Sequence, residues 1–306
     1  MLVEGVERFS FNGADCELSG VQTGNPEGRD LVLIHGMRDH ALSLMPVARE
    51  FAGDFRVTLP DLRGHGDSAN SGSYSMMQFV ADLRALIEQK QLLRPIIMGH
   101  SLGGHIASRY TALYDEEVTA LVLMDGMGPP VDRKKASWRD ASREQIQTLL
   151  QLRSQRNTMP DAQSALARLQ RNNPRLHPDV ARMIVDTGIE PHPDGGVQWK
   201  WDPAVGMVWS TFSHDESEQQ WASIESPVLI VTGDEALDYW SRMRPALKGK
   251  EALHLSEIER RRQRFRSAES RMIKGAGHMI HYDQPRLLNQ VLRGFVDKVV
   301  AASSPD

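Results

Sequence analysis

The sequence is short of several things, and each shortage excludes something. It has one cysteine, Cys16, in 306 residues. A lone cysteine closes no internal disulfide, and no cluster of cysteine and histidine has zinc-ligand spacing. Positive charge is not in excess: 36 Lys and Arg against 40 Asp and Glu give a formal net charge of −4, so the composition does not point to nucleic acid. No run of about 18 apolar residues occurs, so no segment reads as a transmembrane helix. The opening residues MLVEGVERFS lack a basic stretch followed by an apolar one, so no secretory signal is read and a cytoplasmic location is expected. What is present suits a folded domain. Hydrophobic residues make up 40% and charged residues 25%. A chain of this length buries a large core without disulfide or metal staples, which excludes disorder, collagen and a disulfide-dense mini-protein. Length alone allows two domains or one large α/β unit.

The first third alternates short apolar runs with helical patterns. Leu31-Val32-Leu33-Ile34 is a continuous apolar run, as a strand buried on both faces requires. Phe55–Leu59, Pro95–Met98 and Leu121–Met124 are three more strand candidates. Between them, residues 76–93 place Met76, Val80, Leu83 and Ile87 on one helical face, and Ser75 with Gln78 reads as a capping box. Strands separated by such helices imply βαβ units and a parallel sheet. The opening segment 6–24 has no helical period and is expected to be an antiparallel hairpin leading into the sheet.

After Gly126 the pattern changes. Residues 127–221 carry no long apolar strand. Helical stretches are expected near 137–155, 161–171 and 178–187, with a turn at Pro191–Gly196, and then comes the aromatic run Trp199, Trp201, Trp209 and Phe212. The strand pattern resumes at Pro227–Val231. The segment therefore reads as an insertion over the sheet's strand ends, its tryptophans packing it against the core. Helices follow within 238–267, where Arg260, Arg261, Arg262, Arg264 and Arg266 read as a solvated face paired with Glu257 and Glu259. The last helix, 285–300, puts Leu287, Leu288, Val291, Leu292, Phe295, Val296 and Val299 on one face.

Three loops carry the chemistry. Gly99-His100-Ser101-Leu102-Gly103 fits G-x-S-x-G. The pattern alone is weak, but Ile96–Met98 runs into it as a strand and Ile106–Tyr110 runs out of it as a helix. Such a turn strains the serine backbone and presents the hydroxyl at the strand's C-terminal end, near a helix N-terminus. His35-Gly36-Met37 follows the strand Leu31–Ile34, and a sharp turn there aims a backbone N–H into the site. An acyl-transfer oxyanion needs two such donors, and the N–H groups of Met37 and Leu102 are the candidates. His35 itself reads as a structural hydrogen-bonding residue. Gly275-Ala276-Gly277-His278 follows a short strand, so His278 can reach the serine as the base it needs. His281 competes for this role but lacks the Gly-rich approach.

Together these loops resemble the α/β-hydrolase superfamily over nearly the whole chain. Asp61-Leu-Arg-Gly-His-Gly-Asp-Ser68 is similar to that superfamily's loop after the fourth strand, and the order nucleophile, acid, histidine also fits. The resemblance implies an α/β-hydrolase fold: a mostly parallel twisted sheet with helices on both faces and a helical cap. The core would be 1–126 and 222–306, and the cap or lid 127–221. One departure concerns the acid that orients the histidine. Most relatives place it after the penultimate strand as Gly-x-x-Asp, and here Gly233-Asp234-Glu235-Ala236 has alanine at that place. Asp125, ending the strand Leu121–Met124, is the preferred acid. Asp234 is the alternative, and Glu235 and Asp238 stay open.

The resemblance implies a serine hydrolase that cleaves carboxylic esters, or related lactones or thioesters, through an acyl-enzyme. It calls for no cofactor and no metal, only a small-molecule ester-type substrate, with neither nucleic acid nor membrane insertion. Ser101 argues against haloalkane dehalogenases and epoxide hydrolases, which carry aspartate at the elbow. A carbon–carbon bond hydrolase for ring-cleavage products and a cofactor-free haloperoxidase-type side activity stay open, as does a non-catalytic binding module of the same fold. The acyl chain length and the oligomeric state are not legible.

Overall fold

The computed structural model of the chain describes residues 4–130, 138–152 and 158–303. The first six strands are β1 (Glu7–Asn12), β2 (Glu17–Gly24), β3 (Arg29–Ile34), β4 (Phe55–Pro60), β5 (Ile96–His100) and β6 (Ala120–Met124). Three short strands follow: β7 (Thr158–Met159), β8 (Ile189–Pro191) and β9 (Val197–Trp199). The last two are β10 (Val228–Gly233) and β11 (Ala268–Ile273). Eight of these form one sheet in the order β1-β2-β4-β3-β5-β6-β10-β11. The pairs from β4 to β11 are parallel, while β1 with β2 is an antiparallel hairpin that joins β4 antiparallel.

The central strands are apolar on both faces because both faces are covered. Every residue of β5, β6 and β10 is buried. On one face Leu31, Leu33, Met98 and Val122 pack with helices Met45–Phe51 and Pro285–Ser303. On the other, Val32, Ile34, Ile97 and Leu121 pack with helices Met76–Gln89 and Leu102–Leu113. The capping box at Ser75 forms: its hydroxyl accepts from the Gln78 N–H at 3.2 Å, and Gln78 Oε1 accepts from the Ser75 N–H at 3.0 Å. The helix stops at Gln89, short of residue 93, because Gln91 and Arg94 take left-handed backbone at φ 50° and 44°. Leu287 does not join the core face of the last helix and is 45% exposed.

Between β6 and β10, no described residue enters the large sheet. Helix Trp138–Leu152 occupies the first expected stretch, whose residues 137 and 153–155 lie outside the described residues. Helices Ala162–Asn172 and Pro178–Gly188 follow, the first capped by Asp161. Strands β7, β9 and β8 form a small antiparallel sheet that periodicity does not reveal, since two or three residues show no period. This segment is tied to the loop Asp61–Ser68. The Gly66 N–H donates to Lys200 O at 2.7 Å, Lys200 Nζ meets Asp67 at 2.6 Å, and the Tyr74 hydroxyl donates to Asp202 at 2.5 Å. The arginine run is only partly a solvated face. Arg260 bridges Glu257 and Glu218, whereas Arg261 is buried and donates to the carbonyls of Met127, Gly128 and Pro129 at 2.7–2.9 Å. Among the described residues no helix is long and apolar enough to cross a membrane.

Candidate active site

Strand β5 delivers Ser101 at the sheet's C-terminal edge. The residue sits at φ 51°, ψ −115°, between the strand and helix Leu102–Leu113. Glycines make this turn possible by close approach. A Cβ on Gly99 would stand 2.3 Å from the Gly103 carbonyl, and one on Gly103 would stand 2.3 Å from Ile34 O. The first N–H groups of a helix have no partner within it, and Leu102 N–H beside Ser101 is one of these. The loop His35–Met37 passes the serine so closely that a Cβ on Gly36 would lie 3.2 Å from Ser101 Cβ. His35 is buried and ties this loop to its neighbour. Its Nδ1–H donates to Gly36 O at 2.7 Å, and its Nε2 accepts the Leu62 N–H at 3.0 Å.

His278 Nε2 lies 3.0 Å from Ser101 Oγ. Its other ring nitrogen, Nδ1, is hydrogen-bonded to Asp125 Oδ2, and both residues are buried. Asp125 reaches it by a second backbone rarity, φ 45°, directly after β6. That turn is held by the Asp125 N–H donating to Val231 O at 2.8 Å. The other candidate acids are occupied elsewhere. Asp234 is exposed and accepts the Gly275 N–H at 2.8 Å, Glu235 pairs with Arg175 at 2.6 Å, and Asp238 is exposed on helix Ala236–Met243. His281 is buried, with Nε2 3.9 Å from Asp39, and makes no bond to the serine.

Several neighbours carry no sequence signal. Tyr239 stacks on the His278 ring at 4.2 Å and 18°, and Trp240 meets its edge at 4.8 Å. Burial pushes the Tyr239 hydroxyl above its usual range, so the stacked ring stays neutral. His100 Nε2–H donates to the His278 carbonyl at 2.9 Å, which pins the histidine loop to the elbow. From the segment after β6, Trp209 and Phe212 pack edge-on against His105 of the elbow helix, at 5.3 and 5.1 Å. The Arg38 guanidinium lies 5.0 Å over Trp201, and Trp199 joins the small core of Met159, Ala165 and Val185. An open cleft of about 880 Å³ is lined by Asp67, Glu190, Lys200 and Asp202 and by none of Ser101, Asp125 and His278.

A hydrogen-bonded Asp125–His278–Ser101 run at the C-terminal edge of a mostly parallel sheet, with the serine on a strand–elbow–helix turn, is the arrangement of an α/β-hydrolase. The sequence comparison agrees: the alpha/beta hydrolase family matches residues 31–291, and the chain belongs to that family. A serine hydrolase-like protein of Danio rerio is 30% identical over 197 residues, 62% of this chain. The chain spans 60% of that relative's length. Esterase YbfF of Escherichia coli is 22% identical over 267 residues, covering 87% of this chain and 92% of that protein. Among solved structures, a thioesterase domain from the curacin biosynthetic pathway superposes with a TM-score of 0.77 at 23% identity, over 94% of this chain and 99% of that domain. That likeness is one of fold.

Proposed function

We propose that the chain is a serine esterase that hydrolyses small carboxylic esters through an acyl-enzyme on Ser101. The observation that carries this reading is the hydrogen-bonded run from Ser101 Oγ to His278 Nε2 at 3.0 Å, with Asp125 on Nδ1. A serine hydroxyl needs an adjacent base, and the base needs a carboxylate to hold its tautomer. Ser101 attacks the ester carbonyl as its proton passes to His278 Nε2. The oxyanion accepts the N–H groups of Leu102 and Met37, and Asp125 stabilises the imidazolium. The alcohol leaves with the proton from His278. Water, activated by the same nitrogen, then releases the acid.

In this reading residues 127–221 are a cap that shapes the acyl pocket. Its ties to the loop Asp61–Ser68, and the packing of Trp209 and Phe212 on His105, support that role. The name of the Escherichia coli relative, covered over most of its length, favours an ester substrate. A fluorophosphonate probe tests the reading. It labels Ser101 rapidly in an esterase and leaves a binding module unlabelled. A panel of p-nitrophenyl esters of rising chain length, run beside a thioester and a ring-cleavage dienoate, then separates C–O from C–S and C–C cleavage. Turnover of the dienoate alone would move the assignment to a carbon–carbon bond hydrolase.

A further inference from the structure

Beside the relay stands a second cluster that ester hydrolysis does not use: Asp39, His100 and His281, all three side chains buried, their donor atoms within 4.8 Å of one another. We propose that these three residues bind one divalent transition-metal ion of the zinc type, and that its binding inhibits the adjacent site. The inhibitory half rests on the esterase reading; the binding half does not.

The imidazoles are set up as ligands. His100 gives its Nε2–H to the His278 carbonyl, which leaves Nδ1 with its lone pair free. That Nδ1 has no hydrogen-bond partner, and neither ring nitrogen of His281 has one. Buried polar atoms are nearly always partnered, so three orphan nitrogens on two rings 4.6 Å apart require an explanation. Burial, with His281 and His278 close by, holds His100 well below the usual imidazole range, in the neutral form that metals take. The carboxylate is equally prepared. Asp39 accepts the His40 N–H at 2.9 Å and lies 3.4 Å from the Tyr282 hydroxyl. An ionised carboxylate in such a place is stabilised by a cation.

Two imidazoles and one carboxylate, with a fourth position open, suit Zn²⁺, Co²⁺, Ni²⁺ or Cu²⁺ rather than Mg²⁺ or Ca²⁺. A tetrahedral site with bonds of about 2.0–2.1 Å brings its ligands to roughly 3.4 Å apart. His281 Nε2 and Asp39 are 3.9 Å apart, so binding contracts the cluster. His100 immediately precedes Ser101, and His281 lies one turn after His278. Contraction therefore pulls on both ends of the Ser101–His278 hydrogen bond.

Cobalt is the probe. Titration of the EDTA-treated full chain with Co²⁺ is expected to give visible d–d bands that saturate at one ion per chain, and Mg²⁺ is expected to leave them unchanged. Asp39→Asn and His281→Asn should each weaken Co²⁺ binding at least ~10-fold. His177→Asn and His192→Asn, at an exposed and a half-buried histidine beside Asp179 and Asp194, should not. Unvaried protein gives an independent reading: Co²⁺ should shift the imidazole resonances of His100 and His281 and spare those of His177 and His192. Zn²⁺ should suppress ester hydrolysis, EDTA should restore it, and His281→Asn should be insensitive. No uptake, or binding that follows His177 and His192, would show that water fills the cluster and overturn the proposal. Specific binding with no effect on hydrolysis would overturn the inhibitory half. A chain that binds Co²⁺ at this site but cleaves no ester would overturn the esterase reading alone.

Discussion

Ser101 and Asp125 share a rare backbone state, positive φ in residues other than glycine, at the ends of neighbouring strands. Each such residue costs of order 1–3 kcal/mol and persists only where its surroundings hold it. Here the sheet itself does so: Ser101 N–H donates to Met124 O at 3.1 Å and Asp125 N–H to Val231 O at 2.8 Å, each extending a ladder one residue past its strand. The serine was legible because its glycines and flanking pattern advertise the turn. The pairing of Asp125 with His278 is legible only in part, because a strand-end aspartate looks alike whether or not a histidine waits beside it. Ser101→Ala should lower ester turnover at least ~10³-fold in a protein that still folds, leaving only the oxyanion donors and substrate binding. His278→Ala should cost as much and His281→Ala far less, with the double variant Ser101→Ala/His278→Ala hardly worse than either single one. Asp125→Asn keeps the shape but favours the wrong imidazole tautomer, so kcat should fall by several orders of magnitude, while Asp234→Asn should cost far less. Steady-state kinetics on a p-nitrophenyl ester measure all six, and a crippling loss in Asp234→Asn would show that the acid is misassigned.

At the scale of elements, the central strands of the large sheet stand where their apolar runs are, because burial on both faces writes itself into four or five consecutive residues. What escaped the sequence lacks such a period: the short strands β7–β9, and long-range partners. Arg261 is the instructive case. Read along its helix it belongs to a charged stripe, yet it points inward and gathers the three carbonyls that follow the Asp125–Gly126 turn. Nothing in a neighbouring pattern announces a bond across more than 130 residues. Arg261→Met keeps the side-chain bulk but leaves those carbonyls without their donor, while Glu257 loses Arg261 and keeps Arg260. Removing one partner from a buried charged network typically costs 3–5 kcal/mol. The variant should therefore unfold at markedly lower urea concentration, and its kcat should fall more than its KM rises, because the strand end that carries Asp125 loses its anchor. Unchanged urea midpoints would show that the arginine is dispensable.

The molecule buries eight of its eleven histidines, and that sets its response to acid. Burial holds His65 down to about 3, and burial likewise lowers His40, His100 and His105, the last two well below the usual range. The sign follows from proton counting. Below the unfolded pKa near 6.5 the unfolded chain takes up protons on these rings while the folded chain does not, so stability falls as pH falls. For His65 the loss starts near pH 6.5 and continues to about pH 3, where the folded state also titrates. At pH 5 that one residue has cost about 2 kcal/mol, at 1.36 kcal/mol per pH unit below 6.5. His100 and His105 act in the same direction over the same range, and whole domains are stable by only about 5–15 kcal/mol. Folding should therefore be at its firmest above neutral pH and should weaken steeply between pH 6.5 and 5, before most carboxylates titrate. His65→Gln removes one titrating ring and should flatten this slope, although it loses stability at pH 8 by disturbing the bonds from the Arg38 N–H to Nε2 and from Nδ1–H to Arg63 O. Urea unfolding at pH 8, 6.5 and 5 measures the slope for both proteins. A stability that stays level from pH 8 to 5 would mean that these rings are protonated, or wet, in the folded chain.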